Sequence, residues 1–141
     1  NGAATLTSVI NEPTELGGIF DLTAVLSDQV SSAYRTVKIV DDKHLKVVDE
    51  IKARHDKNAK IRWCMVTSAT PTLENNRIIL TFGNKKMYLK TTGDNNITYK
   101  TWSTTSQNSY DQPNPNAYMV GFEATLTPNQ SSVFTTTLSP E

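Results

Sequence analysis

The sequence has a single cysteine, Cys64, so a disulfide framework and a Cys-cluster metal site are excluded together. No run of about 18 apolar residues occurs, which leaves no candidate for a helical membrane span. The first residues show no signal-peptide pattern. Charge of either sign is not in excess: 14 Lys+Arg face 14 Asp+Glu, and the formal net charge is zero. Without a basic stripe to displace phosphate counterions, nucleic acid is not expected as a partner. Phosphate loops are missing too, since Gly17-Gly18 is followed neither by a helical pattern nor by a Lys-Ser/Thr pair. No Gly-x-Ser-x-Gly elbow occurs.

What the chain does have is threonine, 20 of its 141 residues. Thr is β-branched and favoured on the half-wet face of a strand. Periodicity agrees. Over Ser32–Val40, Ala33, Arg35, Val37 and Ile39 share one face. Over His44–Ala53, Leu45, Val47, Ile51 and Ala53 alternate with Lys46, Glu50 and Lys52. Over Lys60–Thr67, Ile61, Trp63 and Met65 alternate with Arg62, Cys64 and Val66. Side chains of a strand point to opposite faces with period two, so these segments are predicted as half-buried antiparallel strands.

Turn chemistry separates the runs. Asp41-Asp42-Lys43, Asp56-Lys57-Asn58, Gly83-Asn84 and Pro128-Asn129-Gln130 each stand between two strand-like segments. The centre and the C-terminal part therefore read as a meander of hairpins, with Arg77–Phe82, Lys86–Thr91, Tyr118–Leu126 and Val133–Leu138 as further strands. Helix signals are poor. Asn11–Gly18, with Pro13 and Gly17-Gly18, reads as an irregular crossing between sheets. Thr104–Asn116 reads as a long polar connection. The expectation is one all-β domain over residues 1–141, an antiparallel two-layer β-sandwich of about nine or ten strands.

The chemistry inventory is thin. His44 and His55 stand at opposite ends of one strand, more than about 30 Å apart at roughly 3.4 Å per residue, too far to share a metal. Asp49 and Glu50 point to opposite faces and cannot work on one bond. Asp49 falls at an inward slot, where a carboxylate has to be paired. Arg35, on the apolar face of the preceding strand, is the natural partner, and a structural ion pair is expected. Cys64, between Trp63 and Met65, reads as inert buried packing. Trp102, Tyr99 and Tyr110 are open to two readings. They could stack on sugar rings as a binding platform, or Trp102 could cap the sandwich while Tyr110 anchors the loop. No catalytic residue, metal site or cofactor is assigned.

The order of short motifs resembles a known family. Asp21-Leu22-Thr23 followed by Ser32-Ala33-Tyr34-Arg35 resembles the Asp-Leu-Thr … Ser-Ala-x-Arg segment of the heparinase II/III-like polysaccharide lyases. Val47-Val48-Asp49-Glu50 is similar to the Val-Val-Asp-Glu strand of that family. Arg62-Trp63-Cys64-Met65-Val66-Thr67-Ser68-Ala69 is similar to its Arg-Trp-x-Met-x-Thr-x-Ala strand. Lys86-Met87-Tyr88-Leu89 after Gly83-Asn84, and Asn114-Pro115 before Tyr118-Met119-Val120-Gly121-Phe122-Glu123, complete the series. The likeness runs from about Asp21 onward.

The resemblance implies an N-terminal α/α toroid followed by a large antiparallel supersandwich, with β-elimination on a uronate-containing acidic polysaccharide in the cleft between them. In the family the uronate carboxylate is neutralised, a Tyr or His takes the C5 proton and the 4-linked oxygen leaves. Those catalytic residues belong to the toroid and the early sandwich, and where the family holds a metal its ligands lie there too. The expectation is thus a C-terminal sandwich portion, inactive alone. Its acidic polysaccharide (a glycosaminoglycan or similar) would be met through the parent enzyme, and its partner would be the missing toroid. The family also implies a periplasmic or secreted location. A start at Asn1 rather than Met suits a processed chain or a piece of a longer one. The alternative is a free-standing carbohydrate-binding or adhesin-type β-sandwich module, which the fold class alone does not exclude.

Overall fold

Alternating side chains need two apolar surfaces to close on each other, and two sheets supply them. The computed structural model describes residues 2–105, 108–110, 112 and 114–140. These form β1 (Thr5–Glu12), β2 (Glu15–Asp21), β3 (Val30–Val40), β4 (His44–Ala53), β5 (Ala59–Thr67) and β6 (Thr70–Leu73). They continue with β7 (Ile78–Phe82), β8 (Lys85–Gly93), β9 (Thr98–Trp102), β10 (Tyr118–Leu126) and β11 (Ser131–Ser139). One helical turn, α1 (Thr23–Leu26), interrupts them. All pairings are antiparallel. The larger sheet has the order β1-β2-β3-β4-β11-β8-β7-β6, and the smaller β5-β10-β9. This is an all-β fold of two layers, with eleven strands among the described residues.

The core lies where the sheets face each other. Phe122 on β10 stacks on Trp63 of β5, with ring centroids 6.1 Å apart and planes 6° from parallel. It also meets Phe134 of β11 from the opposite sheet, at 5.5 Å and a 42° tilt. Ile51, Ala53, Ala59, Ala124 and Leu126 pack around these rings. A second cluster, Ile78, Leu80, Leu89 and Val120, continues the core toward β7 and β8. Fully burying a side chain of this size stabilises the fold by about 1.5–3 kcal/mol, so these few positions supply much of the drive to close the two layers.

Three expectations need correction. Asn11–Gly18 does not cross between sheets: it is the turn of the β1–β2 hairpin plus the start of β2, and Glu12 stands opposite Glu15. Gly17 and Gly18 lie inside the strand rather than in a turn. A Cβ at Gly17 would run into the carbonyl oxygen of Val37 on β3. The glycine marks a close approach of two backbones, the other use of glycine in sheets.

The meander is broken as well. β4 and β5 lie in different sheets, as do β10 and β11. The segments after Ala53 and after Leu126 are corners rather than hairpin turns, and they lie side by side. Ala53 N donates to Gln130 O at 2.9 Å and Asn129 N to Arg54 O at 2.9 Å. Asn129, at φ 62°, takes the left-handed conformation that the reversal requires. Cys64, finally, is exposed. It belongs to the outward set of β5 because Ile61, Trp63 and Met65 take the inward one.

The Asp21-Leu22-Thr23 motif ties α1 to the sheet. The Asp21 carboxylate accepts from Thr23 N at 2.8 Å. The Thr23 hydroxyl accepts from Ala33 N at 3.0 Å. These bonds occupy polar groups that would otherwise be lost where β2 turns into the helical turn.

The smaller sheet does not cover the whole inner face of the larger one. Leu6, Phe20, Arg35 and Asp49 stand in one register row across β1–β4, and Asp49 is buried, so that row faces inward. The neighbouring inward positions on this wing include Val9, Leu16 and Ile39. Val9 is 67% exposed and Leu16 52%. An apolar wing thus extends past the core with nothing from the described residues packed over it.

Candidate functional site

Polar chemistry is concentrated at two places, one between the sheets and one on the outside of the smaller sheet. Between them, Arg35 and Asp49 stand opposite each other in the β3–β4 register. Arg35 Nε donates to Asp49 Oδ1 at 2.6 Å and Nη2 donates to Oδ2 at 3.1 Å. The fork geometry satisfies both carboxylate oxygens, which is what allows the carboxylate to be buried. Beside the pair lies a cavity of about 250 Å³, lined by Leu22, Trp63, Phe122 and Phe134 among others. Its walls are mostly apolar, and its carboxylate is fully occupied by Arg35. The arrangement suits packing more than proton transfer.

The second place is built on β10. Val120, Phe122 and Ala124 point into the core, so Met119, Gly121 and Glu123 point outward. Glu123 lies opposite Arg62 on β5 and Thr98 on β9. Arg62 Nε and Nη2 donate to Glu123 Oε1 at 3.2 and 3.0 Å. Lys100 Nζ donates to Oε2 at 2.6 Å, and Lys60 Nζ stands 3.6 Å from Oε1. Three cations thus converge on one carboxylate, whose side chain is only 10% exposed although it is on the outer face. Hydrogen bonds from Lys100 and then Arg62, with the charges of Lys100 and Lys60, outweigh desolvation and hold the Glu123 pKa down at about 2.

Arg62 also lies over Trp102, with the guanidinium carbon 4.9 Å from the ring centroid. The two residues sit on strands that flank β10, and Gly121 occupies the position between them. A Cβ there would collide with the carbonyl oxygen of Trp63.

The three aromatics do not form one platform. Tyr99 turns inward against the core rings, and its hydroxyl accepts from Thr91 N at 2.7 Å. Trp102 is on the opposite face of β9, beneath Arg62. Tyr110 is 80% exposed, so it does not anchor the loop by burial. Residues 106, 107, 111 and 113 of that connection lie outside the described residues.

His55 is exposed and His44 half-buried, at the two ends of β4. Among the described residues no three His, Cys, Asp or Glu side chains gather as a metal-holding group. Among the described residues no helix is long and apolar enough to cross a membrane. The Lys60, Arg62, Lys100 and Glu123 cluster went unnoticed in the sequence. The signal was there in part, since Lys60 and Arg62 are the outward residues of a recognisable strand. What was absent is any hint that Glu123, 61 residues away from Arg62, would be its neighbour.

No family model and no curated protein matches this chain. Solved structures do. A heparinase III gene product superposes with a TM-score of 0.67 at 13% identity, covering 96% of this chain and 21% of the other. A second heparinase III structure gives 0.65 at 16% identity, over 97% and 21%. The heparan sulfate lyase HepC from Pedobacter heparinus gives 0.62 at 13% identity, over 96% and 21%. The chain spans about a fifth of the length of the structures it matches, and along that fifth it shares their fold.

Proposed function

We propose that this chain is the C-terminal β-sandwich region of a heparinase II/III-like polysaccharide lyase, and that it supplies structure rather than catalytic groups. The observation that carries this reading is the fold match over nearly the whole chain to a fifth of each heparinase structure. Two further features support it. The family-like motifs run in the family's order, and the uncovered wing of β1–β3 presents apolar side chains of the kind that a larger protein would cover. The parent would cleave uronate-containing acidic polysaccharide by β-elimination, with the base and the carboxylate-neutralising groups on an upstream toroid and the early part of the sandwich. The site of action would be the periplasm or the outside of the cell. The sandwich would bury its own core, support one wall of the cleft and dock the upstream part through the wing.

The test is direct. The isolated chain is incubated with heparin, heparan sulfate, chondroitin and alginate, and the absorbance of the unsaturated uronate product is followed. No turnover is expected from the chain alone, and turnover is expected when its natural upstream region is joined to it. Product formed by the isolated chain overturns the reading. The rival reading as a free-standing carbohydrate-binding module gains little from Trp102, whose ring is already engaged by Arg62.

A further inference from the structure

We propose that the outer face of the smaller sheet is a binding surface for an acidic polysaccharide, with Lys60, Arg62 and Lys100 receiving its sulfate or carboxylate groups. The inference deepens the proposed function in one respect only, the choice of polysaccharide as ligand. The surface itself is argued from its own geometry.

The chain as a whole is neutral, yet here three cations meet a single acid, leaving an excess of two positive charges on one patch. Pinning β5 to β9 across β10 needs one cation from each side of Glu123, and Arg62 and Lys100 already do that. Lys60 is surplus. It stands farther off, at 3.6 Å, and is 67% exposed. Arg62 binds Glu123 through Nε and Nη2, so Nη1 lies outside that pair. Its guanidinium is also fixed from below by the Trp102 ring. The donors are therefore held in place before any ligand arrives, which lowers the entropy lost on binding.

Shape agrees with charge. Beside the cluster lies a shallow concavity of about 460 Å³ lined by Lys60, Lys100, Glu123, Thr98, Thr125 and Asn96. Cations interleaved with hydroxyl and amide groups suit a saccharide, whose anionic groups are spaced by neutral hydroxyls. A flat, open sheet face suits a chain that passes over it better than a small molecule that has to be enclosed. Lys60 and Arg62 also border the cavity between the sheets that Arg35 and Asp49 line.

The test uses the full chain and a size-defined heparin octasaccharide, titrated calorimetrically at low salt. Binding is expected for the wild type and is expected to weaken about tenfold in the Lys60→Gln/Lys100→Gln double variant, and to fade as salt screens the patch. Lys60→Gln alone keeps both strand-pinning contacts of Glu123, so its expected two- to threefold loss is free of any folding defect. Lys46→Gln, on the outer face of the larger sheet, is expected to bind like the wild type. The proposal is overturned if the wild type does not bind, if the double variant binds as well as the wild type, or if Lys46→Gln weakens binding equally. It is also overturned if a short DNA duplex binds as tightly as the octasaccharide. Its fate is separable from that of the lyase reading. An active parent enzyme whose isolated sandwich ignores heparin removes only the patch, and an inactive parent whose sandwich binds through these lysines removes only the lyase.

Discussion

Arg62 and Trp102 touch across a strand to which neither belongs. The guanidinium of one lies 4.9 Å from the ring centroid of the other, and the residue of β10 that stands between their strands is Gly121. That strand approaches β5 so closely that a side chain at 121 would meet the carbonyl oxygen of Trp63. Gly121→Ala is therefore expected to cost at least about 2 kcal/mol, through displaced backbone rather than lost contact. Urea unfolding measures it. A variant as stable as the wild type would show that β5 and β10 can move apart freely.

The Arg35–Asp49 pair gives a second expectation. Arg35→Met leaves a buried carboxylate without its fork and should destabilise the fold by about 3 kcal/mol. Arg35→Met combined with Asp49→Leu should recover most of that loss, because the space is then filled by apolar groups with nothing left unpaired. A double-mutant cycle in urea reads the coupling directly. Equal losses in the single and double variants would mean that the pair matters only for its volume.

Acid should weaken the fold through Glu123. Its pKa is held near 2 in the folded chain against an ordinary 4.5. Between those values the unfolded chain binds the proton and the folded chain does not, so stability rises with pH across this window. The contribution is complete above about pH 4.5 and is lost as pH falls toward 2. Asp21 and Asp56, both also held low by hydrogen bonds (to Thr23 and to Arg54), act in the same direction. Denaturation midpoints at pH 5 and pH 3 should differ less in Glu123→Gln than in the wild type. An unchanged difference would assign the acid sensitivity elsewhere.

The exposed wing should tolerate polarity. Val9→Thr with Leu16→Thr is expected to shift stability by no more than about 0.5 kcal/mol, since both side chains already face water. Binding of a fluorescent apolar-surface dye should fall at the same time. A large loss of stability would mean that the wing packs onto something within this chain.

Strands with a turn signal at both ends were legible. His44–Ala53 and Tyr118–Leu126 occupy the segments that alternation and punctuation mark out. Alternation also places Arg35 and Asp49 on one face, and the β3–β4 register makes them neighbours. The β1–β2 hairpin was hidden because Pro13 and paired glycines look like loop, whereas Gly17 is there for clearance from β3. The change of sheet after Ala53 and after Leu126 was hidden for another reason. Asp, Asn and Pro serve a corner as well as a hairpin, and which one forms depends on the partner each apolar face finds. The cation cluster needs the pairing of β5 with β10, a register that no local pattern encodes.

Strand order has a consequence for how the chain is made. β10 is the middle strand of the smaller sheet, and β11 joins β4 to β8 at the centre of the larger one. Everything synthesised before Tyr118 is left as separate ribbons whose greasy sides have no opposite number. The ribosome must deliver the segment through Leu126 before the smaller layer becomes continuous, and through Ser139 before the larger one does. Until then the nascent protein is a customer for chaperones, and a stop just before Tyr118 removes the keystone of both layers at once.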